Sequence, residues 1–189
     1  KALLELYGYK DRDKDGWWEL PDGKPLQLEC ASQPDQVTRQ LDEIFKKNLA
    51  AVGIKVDFKP AKWPQNLKSA RAGKLQMWRL GFSATEADPY SFLQLAYGPA
   101  KGENNLARFE LPAYDALYNQ QKSLPNGPER LALMDQARNI TLAYLPYKAH
   151  IHRIVTDLTH PWVIGYKRHP FARDFFKYLD IDESKRRAK

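Results

Sequence analysis

The chain has 189 residues, a formal net charge of +7 and 43% hydrophobic content, enough for one sizeable core and unlike the composition of a disordered segment. No run approaches the ~20 apolar residues that a bilayer-crossing helix requires. Basic residues are spread along the chain; the one dense run, Lys185-Arg186-Arg187-Ala188-Lys189, has no nucleic-acid-binding motif beside it, so no nucleic-acid partner is expected.

In chain order, Lys1-Ala2-Leu3-Leu4 reads as the middle of a helix, which suggests a fragment or processed piece, and that helix closes near Gly8. The acidic stretch Asp11 to Asp22 follows. Leu26, Leu28 and Cys30 alternate as a half-buried strand. From Pro34 to Val52, Val37, Leu41, Ile44, Phe45 and Leu49 keep helical spacing, and Gly53 stops that helix. Ile54, Val56 and Phe58 predict a second strand, Trp63 to Arg71 a short helix, and Met77 to Phe82 a third strand, dense enough in apolar groups to be expected at the sheet centre. Asp88-Pro89 opens another helix, with Asp as cap and Pro in the first turn. Helices are predicted over Pro112–Lys122 and Pro128–Leu145, the latter with a stripe of Leu131, Met134, Ala137, Ile140 and Tyr144. Short strands and turns follow Pro146. Strands alternating with helices place the chain in the α/β class.

The acidic stretch has the front half of an EF-hand loop. Asp11, Asp13 and Asp15 stand at loop positions 1, 3 and 5, Gly16 takes the turn, the Trp17 carbonyl falls at position 7 and Glu19 at position 9. Position 12 carries Asp22 where a bidentate glutamate belongs, behind Pro21. The competing reading is a solvated turn whose aspartates bond nearby backbone N–H groups. Calcium is therefore a possible ligand that braces a loop; a single loop without its flanking helix pair is not a sensor.

Other chemistry is thinly represented. Hydrolase, transferase and phosphate-loop signatures are missing, so no enzyme is expected. His150 and His152 share a face of a predicted strand but lack a third ligand nearby in sequence. Asn139-Ile140-Thr141 spells a glycosylation sequon in mid-helix, by chance. Cys30, the lone cysteine, is expected as a small buried side chain, and most of the five tryptophans as packing residues. The best local candidate for a binding edge is Arg79 to Pro89, where a strand ends at Gly81 and a loop of small and polar residues leads into a helix; ligands of α/β domains gather at the carboxyl ends of strands.

Five ordered pieces, "ALLELYGYKDRDKDGWWELPDGKPLQL", "LAAVGIKVDFKP", "WRLGFSATEADPYSFL", "ERLALMDQARNITLAYLPY" and "HPWVIGY", together resemble the C-terminal lobe of the dipeptide/oligopeptide-binding proteins, family 5 extracellular solute-binding proteins of ABC importers. The third resembles the family's Gly-Trp-x-Ala-Asp-x-x-Asp-Pro segment. The resemblance implies one lobe of a periplasmic-binding-protein type II-like two-lobed receptor: residues 1–157 as the ligand-binding lobe and 158–189 as a crossover returning to an N-terminal lobe not contained here. It implies a peptide or similar small solute as ligand, an ABC permease as membrane partner, no required cofactor, and a periplasmic or cell-surface lipoprotein location.

Carried over by position, Gly81 and Ser83 match residues whose backbone pairs with the peptide main chain. Phe82 stands for the usual tryptophan. Thr85 falls where peptide-binding members hold the ligand's ammonium with an aspartate, a charge-assisted bond that threonine cannot make. Glu86 could reach in from the next position, and Arg79, on the same strand face as Gly81, could meet a ligand carboxylate. An alternative role is a calcium-dependent interaction module built on Asp11, Asp13, Asp15 and Glu19.

Overall fold

The computed structural model describes residues 1–152 and 154–186. The chain divides into two compact units, Lys1–Gly81 and Phe82–Lys189.

The first unit holds α1 (Ala2–Leu6), β1 (Gln27–Ser32), α2 (Gln36–Ala50), β2 (Lys55–Pro60), α3 (Trp63–Arg71) and β3 (Met77–Trp78). All pairings are parallel in the order β2-β1-β3, with Leu28 opposite Val56 and Ala31 opposite Trp78. Two β-α-β crossovers thus build the sheet, as the alternating pattern requires. Asp35 caps α2: its carboxylate accepts from the Thr38 backbone N–H at 2.9 Å and from the Thr38 hydroxyl at 2.6 Å. Buried Asn66 ties α3 to the end of β1 by donating to the Ser32 carbonyl at 2.7 Å and the Ala61 carbonyl at 3.1 Å.

Three expectations change in this unit. The third strand is only two residues long and lies at the sheet edge, β1 taking the centre. The apolar density near Trp78 serves its ring contact with Trp63, at 4.8 Å, and not burial between two strands. Val37 and Ile44 of α2 are exposed, so the buried face is narrower than the apolar spacing. Cys30 is only half-buried, with burial raising its thiol pKa.

The second unit holds α4 (Tyr90–Leu93), α5 (Pro112–Lys122), α6 (Pro128–Tyr144), β4 (Val163–Ile164), β5 (Asp180–Ile181) and α7 (Glu183–Arg186). Its core is Leu93, Ala96, Tyr114, Tyr118, Met134 and Ala137, formed where α5 packs on α6. Leu131 and Tyr144 of the expected α6 stripe are exposed, because the core takes up only the face carrying Met134 and Ala137. Fully buried Asn105 staples the preceding loop, donating to the Tyr97 and Phe109 carbonyls at 3.0 and 2.7 Å and accepting from the Phe109 N–H at 3.1 Å. Within 158–186, β4 and β5 pair antiparallel, Val163 opposite Ile181. His150 and His152 lie on irregular, exposed backbone instead of the expected strand.

Candidate functional site

Beyond β3 the chain leaves the sheet. Among the described residues, none from Leu80 to Asp88 takes part in a backbone-to-backbone hydrogen bond. This stretch therefore presents main-chain donors and acceptors open to water, a ligand or another part of the protein.

Arg79 and Gly81 end the first unit. The Arg79 guanidinium donates to Oδ1 of Asp42 at 2.6 Å and lies 5.2 Å from the Phe45 ring centroid. Both side chains are well covered, 27% and 9% exposed, so the charge is compensated from α2, and Asp42 is held in place by it. A buried carboxylate stripped of its partner would be costly. At Gly81 a Cβ would meet no atom within 4 Å, so the missing side chain leaves open space.

Phe82, Ser83, Thr85 and Glu86 begin the second unit, and all four are exposed. Phe82 meets Tyr147 edge to face at 6.0 Å. Tyr147 in turn accepts from the Ala107 N–H at 3.0 Å. Asp88 is anchored firmly. It accepts from the Tyr90 N–H at 2.8 Å and takes two bonds from Arg130. The N-cap of α4 is Pro89, one residue later than the sequence predicts, and carries no side-chain cap bond, because proline has none to offer. The Arg130 guanidinium holds the Asp88 carboxyl below the usual carboxylate range. Sequence reasoning named neither Asp42 nor Arg130. Their partners lie 37 and 42 residues away, and an acid or base on a helix otherwise reads as a solvated face.

In the acidic loop, carboxylate oxygens of Asp11, Asp13, Asp15 and Glu19 all lie within 4.8 Å of one another. Oδ1 of Asp11 is buried without a hydrogen-bond partner. The remaining oxygens also brace the turn: Gly16 N–H donates to Asp11 at 3.0 Å, Asp15 N–H to Asp13 at 3.2 Å, and Trp17 N–H to Asp15 at 2.9 Å. Buried Glu19 accepts from the Arg12 N–H at 2.7 Å. Asp22 stands outside this group and pairs with Lys24 at 2.8 Å. Neither His150 nor His152 belongs to a group of three metal-capable side chains among the described residues.

A family model of the bacterial extracellular solute-binding proteins, family 5 (middle region), matches residues 1–104. The chain is 30% identical over 183 residues to heme-binding protein A of Haemophilus influenzae, covering 96% of this chain and 32% of that protein. It is 25% identical over 177 residues to the dipeptide-binding protein of Pseudomonas aeruginosa, covering 93% and 32% respectively. In fold it matches the oligopeptide-binding protein AppA of Bacillus subtilis, solved in complex with a nonapeptide, with a TM-score of 0.74 at 20% identity over 96% of this chain and 36% of that one. The chain thus spans about a third of the length of the relatives it matches.

Proposed function

We infer the role of this chain from its family: it belongs to the bacterial extracellular solute-binding proteins, family 5. It forms part of a non-catalytic receptor that captures a peptide or peptide-like small solute outside the cytoplasm and delivers it to an ABC permease. The ligand lies between this lobe and a second lobe supplied by the rest of the protein, with residues 158–186 returning to that lobe and residues 187–189 of the expected crossover lying outside the described residues. Residues Gly81 to Glu86 supply main-chain hydrogen bonds. The observation that carries this reading is the row of unpaired backbone groups from Leu80 to Asp88, beginning beside a glycine with open space at its Cβ position.

Thr85 bears on specificity. It offers a hydroxyl where an ammonium-binding carboxylate would be expected, so a free peptide's amino end is held by Glu86 or by the other lobe. Arg79 is already compensated by Asp42, and a ligand carboxylate reaching it would share the guanidinium with that aspartate.

Substituting Gly81→Val in the full-length protein tests the backbone reading. The added Cβ has no atom within 4 Å, so thermal stability should stay close to that of the parent. A ligand main chain is kept at a distance, and affinity for a trialanine probe falls on the order of 10-fold, the size of one lost hydrogen bond in a desolvated cleft. Unchanged affinity overturns the assignment.

A second reading concerns the acidic loop, favoured by the unpartnered buried Oδ1 of Asp11 among converging carboxylates. We infer that Asp11, Asp13, Asp15 and Glu19 take a divalent cation as a structural brace, with the Trp17 carbonyl as a further donor. With Asp22 committed to Lys24, the ligand set is short, and calcium affinity falls in the weak range of extracellular sites, roughly 10⁻⁴–10⁻³ M. Calorimetric titration should show that binding, and Asp13→Ala with Asp15→Ala should abolish it. A flat titration of the unaltered protein removes the proposal.

A further inference from the structure

Resting on the ligand role proposed for residues 81–86, we infer that Arg130 is a positioning residue for ligand capture, acting through Asp88 to hold the exposed loop 82–88 in its binding shape. Arg130 sits in the first turn of α6 with its side chain 12% exposed. Its Nε donates to the carbonyl and to Oε1 of fully buried Gln121, each at 3.2 Å, which fixes the guanidinium to the end of α5. The two terminal nitrogens reach Asp88 and Asn126. One donates to Oδ2 of Asp88 and to Oδ1 of Asn126, both at 2.5 Å, and the other to Oδ1 of Asp88 at 3.2 Å.

The consequence is a loop fastened at both ends. Asp88 is gripped by two bonds and also accepts from the Tyr90 N–H beside the entry to α4, while α4 is drawn into the core by the Tyr114 hydroxyl donating to the Leu93 carbonyl at 2.7 Å. At the other end Phe82 packs edge-on against Tyr147. Between these anchors Ser83 to Ala87 make no backbone-to-backbone bond among the described residues. A segment that offers its own main chain to a ligand cannot also spend those groups on internal order, so its shape must be imposed from outside. Ordering a free residue costs about 1–2 kcal/mol, which the ligand would otherwise have to supply. Lysine cannot replace Arg130, because the fork that grips both carboxylate oxygens while a third nitrogen holds Gln121 belongs to guanidinium alone.

The test uses the full-length protein carrying a spin label at Thr85→Cys in a Cys30→Ser background, with and without Arg130→Lys, Asp88→Asn, or both. Without ligand, the label should be slow in the parent and several-fold faster in each variant, the double variant being no faster than either single one. In the unlabelled protein, each variant should weaken trialanine binding by roughly 10-fold, one residue's ordering cost, alongside the lowered melting midpoint that breaking a well-covered ion pair brings. Equal label mobility in parent and variants overturns the inference, as does a lowered melting midpoint with an unmoved label, which would make Arg130 a plain structural brace. Should the parent ignore trialanine while the label responds as stated, the positioning role stands and the peptide reading of the ligand fails.

Discussion

Replacing Tyr114 with alanine should cost about 3–5 kcal/mol, the usual loss for emptying a buried aromatic site. That is a large share of the roughly 5–15 kcal/mol that keeps a domain folded. Tyr114 is fully buried in the α5–α6 core, its ring packs edge to face on Phe109 at 5.9 Å, and its hydroxyl donates to the Leu93 carbonyl. The alanine variant loses both the ring and the bond. Tyr114→Phe keeps the ring and should cost about 1–3 kcal/mol, leaving the buried carbonyl unpaired. Urea unfolding of the two variants separates these contributions, and a loss below about 1 kcal/mol for alanine would refute the packing described. The same residue shapes the alkaline limb. Burial pushes its phenol up to about 12, whereas an unfolded tyrosine ionises near 10. Between those values the unfolded state has released its proton and the folded state has not, so stability falls as pH rises from about 10 to 12. Tyr114→Phe should remove this residue's share of that fall.

Gly53→Ala should be the most damaging small change in the first unit. Gly53 has φ +82, and an added Cβ would stand 2.6 Å from Cδ1 and Nε1 of Trp18 and 2.9 Å from the Gly16 carbonyl oxygen. Neither neighbour can yield cheaply. Trp18 is buried, its Nε1 donates to the Val52 carbonyl at 2.6 Å, and its N–H donates to the Gly53 carbonyl at 3.0 Å. Backbone strain of about 1–2 kcal/mol adds to overpacking of about 1–3 kcal/mol. Gly16→Ala is the matched control: φ is +93, but its Cβ would meet nothing within 4 Å, so strain alone remains. Thermal melts of the two variants should differ by the overpacking share. Equal losses would show that Trp18 does not fasten the acidic loop to the end of α2.

These contacts show what could be read from the chain and what could not. The β-α-β alternation and the Gly53 stop were legible because each rests on periodicity or a local backbone demand, whereas the cap of α4 falls at Pro89 and not at Asp88. The edge position of β3 was not legible either, since Trp78 is apolar for the sake of Trp63, a partner on the preceding helix. The same limit hid the two ion pairs. Asp42 falls within a helix whose charges otherwise face water, yet its side chain is 9% exposed because Arg79 covers it. Asn105 lies in the polar stretch "GENNLARFE" and reads as surface, though it is fully buried. Of the candidate site, the exposed loop from Phe82 to Glu86 was visible as a break between strand and helix. The groups that hold it were not, because Arg130 meets Asp88 only once α6 has folded back onto α4. Three aspartates and a glycine identified the acidic loop, whereas the diversion of Asp22 to Lys24 could be found only in the structure.

The most direct measurement is native mass spectrometry of the full-length protein that contains this chain, purified gently without refolding and then offered a mixture of short peptides. The account predicts one added mass of peptide or similar small-solute size per protein, with a reduced bound fraction in the Gly81→Val variant. A protein that stays bare in the mixture and carries nothing from the cell would contradict the receptor role of this lobe.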